Sequence, residues 1–324
     1  MAPRIQIEPQ VTAHDVDDAA QRIGSRVRRT PVIDAAADEL GTPVDVVLKL
    51  ELLQHTGSFK PRGAFNRVLT ALEAGDIPAG GLVAASGGNH GAAVAHVGRQ
   101  LGLHAEVFVP STSPTTKRDR IAALGADVRV VDGLYDDAQL AADRRQAETG
   151  ALLVHPYEHR DVIAGQGTVA RELDDQVDGY DTLVVAAGGG GFIAGQAAWI
   201  TTTRRVVAVE PATSRCLQTA LEHGGPTAVE VSGVAADSLG ARRLGAVAWS
   251  VVAGYVDDAV VVADEDIREA QRALWDQFRL VAEPGGAAAL AALRCGAYVP
   301  DVGERVVVVV CGSNCDPNTV LPAG

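Results

Sequence analysis

Short, uniformly apolar runs alternate along the chain with longer stretches whose apolar residues recur at helical spacing. The run LVAA at 82–85 is typical of a buried strand, and Val94, Val97 and Leu101 follow at helical spacing. Gly102 is placed to end that helix. Further predicted strands occupy 105–109, 127–131, 151–154, 182–187, 205–210, 258–263 and 306–311. Apolar strands that alternate with helices are typical of parallel sheets covered on both faces, so the pattern predicts an α/β fold.

The chain length and two loop-like segments predict two domains. A chain of 324 residues has two domains at roughly 150 residues each. The segment GDIPAGG at 75–81 carries a proline and three glycines, which is typical of a linker. A second boundary is expected within HPYEHRD at 155–161. We therefore predict a small domain at 82–157 and a large, discontinuous domain made of 1–74 and 158–324.

Composition and charge narrow the classes of function. Lys plus Arg number 28 and Asp plus Glu number 41, so the formal net charge is −13. A chain this acidic repels phosphate backbones and anionic lipids, which argues against nucleic acid and membrane surfaces as main partners. The sequence predicts neither a transmembrane helix nor a secretory signal, because it has no long apolar run and no basic start before an apolar block. The four cysteines form no disulfide framework, and we predict a cytoplasmic protein that acts on small molecules.

Four successive glycines, Gly188 to Gly191, stand between the apolar run TLVVAA and the apolar segment FIAGQAAWI. Glycines at a helix N-terminus let backbone N–H groups surround an anion, so this segment is predicted to bind phosphate and not to be a flexible linker. Gly189, Gly191 and Ala194 also match the dinucleotide fingerprint, and Glu210 ends the next strand where a ribose-binding acid is expected. A nicotinamide-dependent oxidoreductase is therefore an alternative.

Two further polar segments carry candidate chemistry. In the segment HTGSFKPRGAFN at 55–66, Lys60 follows an aromatic residue, although a lysine taken alone is usually a solvent-exposed charge. The segment SGGNHG at 86–91 begins a helix, where Ser86 or Asn89 would serve as a simple N-cap. The functional interpretation of this segment is a carboxylate site made of backbone N–H groups and those two side chains.

Taken together, the motifs resemble one family of enzymes. TGSFKPRGA, SGGNHGAAVA, HPYEHRDVIAGQGTVARE, the tetraglycine with FIAG, EPGGAAALAAL and VVCGSNCDP occur in one order from about Thr30 to Asn318. This order resembles the pyridoxal-phosphate enzymes of fold type II, specifically the serine/threonine dehydratase and serine racemase group. The resemblance implies a two-domain fold with twisted, mostly parallel sheets flanked by helices, an amino acid as substrate, and a homodimer. We expect no regulatory domain after these motifs, so the chain resembles the short, catabolic dehydratases.

The resemblance assigns a role to each motif. It makes Lys60 the lysine that forms the Schiff base and the general base that removes the Cα proton. The residues that it assigns to the cofactor are Phe59 beside the ring, Lys60, Asn89 at the 3′-oxygen, Gly188, Gly189, Gly190 and Gly191 at the phosphate, and Cys311 at the pyridine nitrogen. The residues that it places around the substrate carboxylate are Ser86, Gly88, Asn89 and His90.

Cys311 has a chemical meaning in this interpretation. A thiol does not keep the pyridine nitrogen protonated as a carboxylate does, so the cofactor ring is a weaker electron sink. A less delocalised carbanion favours loss of a β-hydroxyl as water over transamination. Without the resemblance, Cys311 is typical of a small buried residue at the end of a strand.

Two positions depart from the pattern of the family. Racemases of the group read Ser-Ser-Gly-Asn-His, with the second serine as the acid/base on the cofactor face opposite the lysine. Here that position is Gly87, so racemisation is not expected. Racemases also hold a divalent metal with a glutamate and, six residues on, an aspartate, whereas this chain has Glu210 and then Cys216. Glu210 stays a candidate residue for binding a monovalent cation.

These inferences predict a pyridoxal-phosphate-dependent lyase that converts L-threonine and/or L-serine to a 2-oxo acid and ammonia. Pro61 follows the lysine, where synthases of the family often carry aspartate, and this favours a dehydratase. Alternatives within the family are a racemase-type enzyme and a lyase of another β-hydroxy amino acid. Alternatives from other classes are the nicotinamide-dependent oxidoreductase and a cofactor-bearing protein that binds amino acids without catalysis.

Overall fold

The computed structural model describes residues 7–76 and 79–321. Residues 77 and 78 of the predicted linker lie outside the described residues, as do residues 1–6, on which part of the expectation about a secretory signal rests. The strands are β1 (Val32–Ala35), β2 (Val46–Lys49), β3 (Leu82–Ala85), β4 (Ala105–Pro110), β5 (Asp127–Val131), β6 (Leu152–Leu153), β7 (Thr182–Ala186), β8 (Arg205–Pro211), β9 (Asp258–Val262) and β10 (Val306–Val309).

The helices of the described residues alternate with these strands. They are α1 (Ala13–Ile23), α2 (Ala37–Leu40), α3 (Lys60–Glu73), α4 (Asn89–Leu101), α5 (Thr115–Ala123), α6 (Tyr135–Thr149), α7 (Arg160–Asp174), α8 (Gly191–Ile200), α9 (Cys216–His223), α10 (Ala236–Leu239), α11 (Ala246–Tyr255), α12 (Asp264–Phe278) and α13 (Pro284–Arg294). Short 3₁₀ helices occupy Glu51–Leu53, His55–Gly57 and Pro317–Thr319.

The larger sheet has six strands in the order β1-β2-β10-β7-β8-β9. β1 runs antiparallel to β2, and the other neighbouring pairs are parallel. Every residue of β7 and β10 is buried, because these central strands have packed side chains on both faces. Since β7 and β10 are parallel neighbours, their carboxyl ends meet at one edge of the sheet, where Gly188 and Cys311 follow them.

The smaller sheet has four strands in the order β5-β4-β3-β6, and all of its pairs are parallel. Its strands lie within residues 82–153, and an apolar cluster separate from that of the larger sheet packs on it. On this basis we propose that 82–157 forms the small domain and that 1–74 with 158–324 forms the large domain.

The predicted α/β class, with parallel sheets flanked by helices, is confirmed. The apolar runs predict eight of the ten strands but neither β1 nor β2. The run at 151–154 is a strand only at Leu152–Leu153, although the backbone N–H of Val154 still donates to the carbonyl oxygen of Val83 at 2.9 Å. The chain therefore stays alongside β3 for two residues beyond Leu152 before it leaves the sheet.

No helix within residues 7–76 and 79–321 combines the length and the apolar character that crossing a bilayer requires. The helices α6, α7 and α12 each have 15 residues. A transmembrane helix needs about 20 residues.

A buried cluster of charged side chains holds the beginning of α3. Arg62 Nε donates to Glu51 Oε2 at 2.8 Å, and Arg62 Nη2 donates to Glu51 Oε1 at 2.7 Å. Arg62 Nη2 also donates to Glu172 Oε2 at 3.0 Å, and Lys49 Nζ donates to Glu172 Oε1 at 2.5 Å. Because Arg62 lies two residues after Lys60, this cluster fixes the helical turn on which Lys60 stands.

Candidate active site

Lys60 stands at the start of α3, on a segment that is tied to the end of β10. The backbone N–H of Phe59 donates to the carbonyl oxygen of Cys311 at 3.2 Å, and Ser58 forms an isolated antiparallel bridge with Gly312. Pro61 follows in the first turn of α3, where a backbone N–H has no acceptor within the helix, so a proline there costs no hydrogen bond. The structure thus places Lys60 at the edge of the larger sheet where β7 and β10 end.

The amine of Lys60 is enclosed and loses its proton more readily than an ordinary lysine. Its Nζ donates to the carbonyl oxygen of Pro156 at 3.0 Å. Burial lowers the pKa of Lys60 to about 8, although the nearby Cys311 and Glu283 act to raise it. A lysine with this pKa has a substantial neutral fraction near physiological pH, and only the neutral amine acts as a nucleophile or a base.

Acylation of Lys60 in the cofactor-free protein is expected to increase with pH and to reach half its maximum near pH 8. The reason is that only the neutral amine reacts, and burial lowers the pKa of Lys60 to about 8. An unperturbed lysine would reach the same point near pH ~10.4. Brief treatment with an acylating reagent at a series of pH values, followed by peptide mass spectrometry, gives the midpoint. A midpoint near pH ~10 would contradict the proposed environment of the amine.

The four glycines form a turn whose backbone N–H groups have no acceptor. Gly190 has a φ of +86°, in the left-handed region that favours glycine, and α8 begins at Gly191. The N–H groups of Gly188 to Gly191 have no hydrogen-bond acceptor among the described residues. Unpaired N–H groups at the N-terminus of a helix are a site for an anion, so the predicted phosphate site has the donors that it needs.

The turn at Pro156 and Tyr157 brings this glycine segment next to Lys60. Pro156 accepts the hydrogen bond from the Lys60 amine, and a Cβ added at Gly189 would lie 2.6 Å from the ring of Tyr157. His155 organises the turn, since its Nδ1 accepts the backbone N–H of Glu158 at 2.8 Å. Glycine at 189 therefore leaves room for the ring of Tyr157. Pro156 contacts Lys60, and the adjacent Tyr157 lies against the glycine segment, so this turn links the two parts of the site.

Two stacked aromatic rings make a second link between the lysine and the glycine segment. The rings of Phe59 and Phe192 have centroids 3.8 Å apart and planes inclined by 23°. Phe59 directly precedes Lys60, and Phe192 is the second residue of α8. Phe59 is thus held beside the site by packing, in agreement with its predicted position next to a cofactor ring, which stays a prediction.

The side chain of Asn89 joins the small-sheet half of the site to the large-sheet half. Its Nδ2 donates to Glu283 Oε1 at 2.6 Å, and its Oδ1 accepts from Asn314 Nδ2 at 2.6 Å. One N–H of the Asn89 amide and one lone pair of its oxygen remain for a ligand. The predicted contact of Asn89 with the cofactor is therefore compatible with these two hydrogen bonds.

The loop at 86–90 offers backbone donors more than side chains. Ser86 Oγ accepts the backbone N–H of Gly88 at 3.1 Å, but Gly88 is the N-cap of α4 and no side chain caps this helix, so the expectation that Ser86 or Asn89 is the N-cap is wrong. His90 Nε2 is 2.7 Å from the carbonyl oxygen of Val154, and burial, together with the charge of Lys60, lowers the pKa of His90 to about 3. His90 is therefore neutral and donates to Val154, so its backbone is the part of the residue that is left for a carboxylate.

Cys311 is a neutral thiol in this site. Its Sγ donates to the carbonyl oxygen of Gly285 at 3.4 Å, and burial raises the pKa of the thiol, with the negative charge of Glu283 adding to the effect. A neutral thiol at the end of β10 is compatible with the predicted contact to a pyridine nitrogen. It supplies no negative charge there.

Glu210 is buried and used as a helix cap. Its Oε1 accepts the backbone N–H of Leu217 and its Oε2 that of Gln218, each at 2.8 Å, at the start of α9. Burial raises the pKa of Glu210 to about 7, and Cys216 Sγ donates to the carbonyl oxygen of Gly188 at 3.1 Å. A cation at Glu210 would compete with both backbone N–H groups, and its binding stays a prediction.

Glu283, Asn314 and Tyr157 contact the site without having been assigned a site role from the sequence. Glu283 is 5% exposed and accepts from Asn89, while Asn314 donates to Asn89 and to the carbonyl oxygen of Thr56. The motifs EPGG and GSN contain Glu283 and Asn314, so the signal was in the sequence. The sequence does not show that these two residues, about 200 positions from Asn89, lie close to it in space.

The arrangement fits a phosphate-bearing carbonyl cofactor. A lysine amine with a lowered pKa can hold a carbonyl group covalently, and the unpaired N–H groups of the glycine segment can hold a phosphate. The stacked Phe59 and the neutral Cys311 provide an aromatic face and a thiol between these two anchors. The fold and the site therefore fit an enzyme in which a buried lysine at the carboxyl edge of a parallel sheet would carry such a cofactor.

Known proteins with the same chain architecture carry such a cofactor. The family model described as pyridoxal-phosphate dependent enzyme matches residues 23–312. The L-threonine ammonia-lyase of Thermotoga maritima is 34% identical over 313 residues, which cover 96% of this chain and 77% of that protein. The serine racemase of Oryza sativa subsp. indica is 33% identical over 310 residues, which cover 94% of this chain and 91% of that protein. The structure of maize serine racemase aligns with a TM-score of 0.89 at 32% identity, and covers 96% of this chain and 95% of that chain.

The chain belongs to the family of pyridoxal-phosphate-dependent enzymes. This membership confirms the resemblance on which the site assignments rest, and pyridoxal phosphate is the cofactor of the family. It also favours a lysine-bound cofactor over the nicotinamide alternative, which leaves Lys60 and the segment at 86–91 without a role.

Proposed function

We propose that the protein is a pyridoxal-phosphate-dependent ammonia-lyase that converts L-threonine and/or L-serine to a 2-oxo acid and ammonia. The observation that carries the proposal is the enclosed amine of Lys60, with a pKa lowered by burial to about 8, beside a glycine segment with unpaired N–H groups. The relative from Thermotoga maritima is named an L-threonine ammonia-lyase, and it matches 96% of this chain. A neutral base next to an anion site is what removal of a Cα proton from an amino acid requires.

Each residue of the site has a separate proposed role. Pyridoxal phosphate, when bound, supplies an electron sink that stabilises negative charge at the substrate Cα. Lys60 holds the cofactor and, once free, its neutral amine accepts the Cα proton. Gly188 to Gly191 hold the phosphate with backbone N–H groups, and the start of α4 at 86–90 holds the substrate carboxylate in the same way. Asn89 lies between the two halves of the site and orients the ligand.

The choice of elimination over other outcomes follows from Cys311. Cys311 is the residue predicted to lie at the ring nitrogen of the bound cofactor, and as a neutral thiol it would supply no negative charge there, which would favour loss of a β-hydroxyl over other outcomes. Glu283, the nearby buried carboxyl, is bound to Asn89, and burial raises its pKa. The site therefore has the polarity that β-elimination needs.

A panel of amino acids tests this function. Purified protein loaded with pyridoxal phosphate is incubated with L-serine, L-threonine, L-alanine and D-serine, and 2-oxo acid and ammonia are measured together with the visible absorbance spectrum. We expect equal amounts of 2-oxo acid and ammonia from L-serine or L-threonine and none from L-alanine, which has no β-leaving group. Cofactor absorbance without product would favour the non-catalytic binding protein, and product with another β-hydroxy amino acid alone would favour that lyase.

We also propose a cytoplasmic homodimer as the working form. The proposal rests on the family resemblance and on the acidic composition, with a net charge of −13. Light scattering after size-exclusion chromatography measures the molar mass directly, and a mass near 33.5 kDa would correspond to a monomer and contradict the proposal.

The glycine segment provides a prediction about cofactor affinity. Gly189→Ala and Gly189→Asp both add the Cβ that would lie 2.6 Å from Tyr157, but only the aspartate adds a negative charge. We expect the aspartate variant to bind pyridoxal phosphate at least about fivefold more weakly than the alanine variant, because like charges about 4 Å apart repel by about 1 to 4 kcal/mol. Fluorescence titration with the cofactor measures both affinities.

The control for this prediction is Gly225→Asp, because a Cβ at Gly225 would meet no atom within 4 Å. This variant should bind the cofactor as the unmodified protein does, and thermal unfolding of all three variants checks the fold. Equal affinities of the two Gly189 variants would contradict a phosphate site in this segment.

A further inference from the structure

Two histidine side chains meet where α4 packs against the segment that leads to Lys60. The rings of His55 and His96 have centroids 4.9 Å apart and planes inclined by 27°, so the two imidazoles stack. His55 begins the short 3₁₀ helix before Lys60, and His96 lies in α4, the helix that begins within the loop at 86–90. This imidazole pair, His55 and His96, therefore joins the helix of the predicted carboxylate site to the segment that carries the lysine.

His96 is buried without a hydrogen bond at Nε2. The residue is 6% exposed, and its Nε2 has no partner among residues 7–76 and 79–321. Phe65 of α3 lies edge-on to the His96 ring, with centroids 5.8 Å apart and planes inclined by 88°. His96 is therefore held by aromatic packing on two sides, and a positive charge on its ring would be buried without a compensating partner.

The charged groups that act on the imidazole pair are cationic. Burial, followed by the charges of His55, Arg99 and Arg28, lowers the pKa of His96 to about 4. Burial and the charge of Arg28 also lower the pKa of His55. Arg99 belongs to α4 itself, whereas Arg28 lies between α1 and β1. Both imidazoles are therefore neutral at physiological pH, and the packing shown by the structure depends on that state.

Other elements packed against α4 include α3, α5, β3 and β4. No carboxylate of the described residues is among the groups that shift the pKa of either imidazole. Arg120 of α5 brings a further positive charge close to His55, because its Nη2 donates to the carbonyl oxygen of the adjacent Thr56 at 3.0 Å. β3 is apolar, and the carboxylates on the other three elements have different surroundings: Glu73 of α3 pairs with Arg22, Glu106 of β4 pairs with Arg145, and Asp119 of α5 is exposed.

The stacking contact of His96 is sensitive to pH. A separated imidazole has a pKa of about 6.5, whereas in the contact the pKa of His96 is about 4. The contact is therefore fully stable above pH ~6.5 and is lost progressively as the pH falls, because the separated imidazole takes up a proton more readily than the packed one. At pH ~5.5 a separated imidazole is protonated about ten to one, so the contact is disfavoured about tenfold.

We propose that the imidazole pair is a proton-sensitive contact that positions the loop at 86–90 against the lysine segment, so that substrate binding weakens when His96 takes up a proton. The inference rests on the proposed function in one respect, which is the placing of the substrate carboxylate at this loop. His55 and His96 act through α4 and the lysine segment, as positioning residues, and not on the reacting atoms. Because coupling between two binding events is reciprocal, a ligand that needs the contact lowers the affinity of His96 for protons by the same factor.

The pH dependence of ligand affinity in His96→Phe tests the inference. Phenylalanine keeps a ring between His55 and Phe65, and the Nε2 that it removes has no partner to lose. The ligand is L-alanine, which has no β-leaving group, and its dissociation constant is measured by visible absorbance on protein loaded with pyridoxal phosphate. Between pH ~7.5 and pH ~5.5, we expect this constant to increase about tenfold more in the unmodified protein than in His96→Phe.

The comparison at position 96 removes the contribution of other groups that titrate. His155 is also buried, and burial lowers its pKa to about 4, but it is present in both proteins. The same holds for the amine of the ligand and for Lys60. His104→Phe is the matched control, because His104 is exposed and precedes β4, and this variant should show the pH dependence of the unmodified protein. Equal pH dependence in the unmodified protein and in His96→Phe would overturn the inference.

A measurement on the unmodified protein covers the case in which His96→Phe does not fold. Deuterium exchange at the imidazole carbon between the two nitrogens, followed by peptide mass spectrometry, reports the pKa of His96. L-Alanine bound to the loaded protein should lower this pKa and leave the exchange of His104 unchanged. An unchanged pKa of His96 in protein saturated with L-alanine would mean that the imidazole pair is not linked to the site.

These outcomes are separate from the test of the proposed function. If 2-oxo acid and ammonia form but His96→Phe does not alter the pH dependence of L-alanine binding, the ammonia-lyase stands and the imidazole pair has no positioning role. If neither product forms while His96→Phe alters that pH dependence, the pair keeps its role in a site that binds amino acids without this reaction. If the loaded protein binds no L-alanine at either pH, the carboxylate site at 86–90 is wrong and the inference fails with it.

Discussion

Lys60→Ala is expected to lower the turnover of L-serine and L-threonine by about 1000-fold or more. The substitution removes the base that accepts the Cα proton, and a positioned base contributes about 10²- to 10⁴-fold on its own. It also removes the amine that holds the cofactor, so the visible absorbance of the bound cofactor should shift or disappear. Steady-state kinetics with 2-oxo acid detection, at saturating cofactor, measures the loss.

The small number of lysines in the chain makes it simple to identify the residue that binds the cofactor. The sequence contains three lysines, at positions 49, 60 and 117. Borohydride reduction of the loaded protein should therefore place the cofactor on one of three peptides, and Lys60 is the expected one. Added ethylamine should restore part of the turnover of Lys60→Ala by replacing the lost base. A label on Lys49 or Lys117, or an alanine variant with full activity, would refute the assignment.

Arg62→Met is expected to lower the free energy of unfolding by about 3 to 5 kcal/mol, the usual cost of breaking a buried ion pair. The side chain of Arg62 is 1% exposed and that of Glu51 is 0% exposed, so the substitution leaves a buried carboxylate without its main partner. Glu172 loses its bond from Arg62 as well. Urea unfolding with linear extrapolation measures the change.

Two further variants distinguish the effect of burial on the free energy of unfolding from the effect of losing a charge. Arg160 pairs with Asp15 at 2.7 Å, but its side chain is 59% exposed. Arg160→Met should therefore cost less than about 1 kcal/mol. The double variant Arg62→Met with Glu51→Gln should recover part of the loss, since it removes the buried charge that the single variant leaves unpaired. Equal costs for Arg62→Met and Arg160→Met would mean that the buried cluster does not stabilise the fold.

The strands that sequence analysis predicts are those with uniformly apolar residues. β7 and β10 are buried on both faces, so every position is apolar and the strand is visible in the sequence. β2 is equally buried but ends in Lys49, whose amine is satisfied by Glu172 of α7. No local sequence pattern indicates that Glu172 is the partner of Lys49, because it lies 123 residues away. β1 is an edge strand with partly exposed residues, and its pattern is too weak to predict a strand.

The parts of the candidate site that the sequence predicts are contiguous motifs, and their roles stay predictions. Lys60, the glycine segment and the loop at 86–90 each lie within one short motif. Glu283 and Asn314 enter only through their contacts with Asn89, 194 and 225 residues away. Contacts between residues so far apart depend on how the two sheets are arranged in space, which the order of the motifs along the chain does not show.

The unpaired N–H groups of the glycine segment have a practical consequence for handling the protein. We expect them to bind a tetrahedral dianion through its charge and its oxygen atoms, and in this respect inorganic phosphate and sulfate resemble the phosphate of the cofactor. Both ions should therefore compete with the cofactor during reconstitution, and the apparent dissociation constant of the cofactor should increase with their concentration. The choice of buffer salt would then determine how much of a preparation is loaded, and a phosphate-free buffer is the condition in which the intrinsic affinity of this segment should be measured.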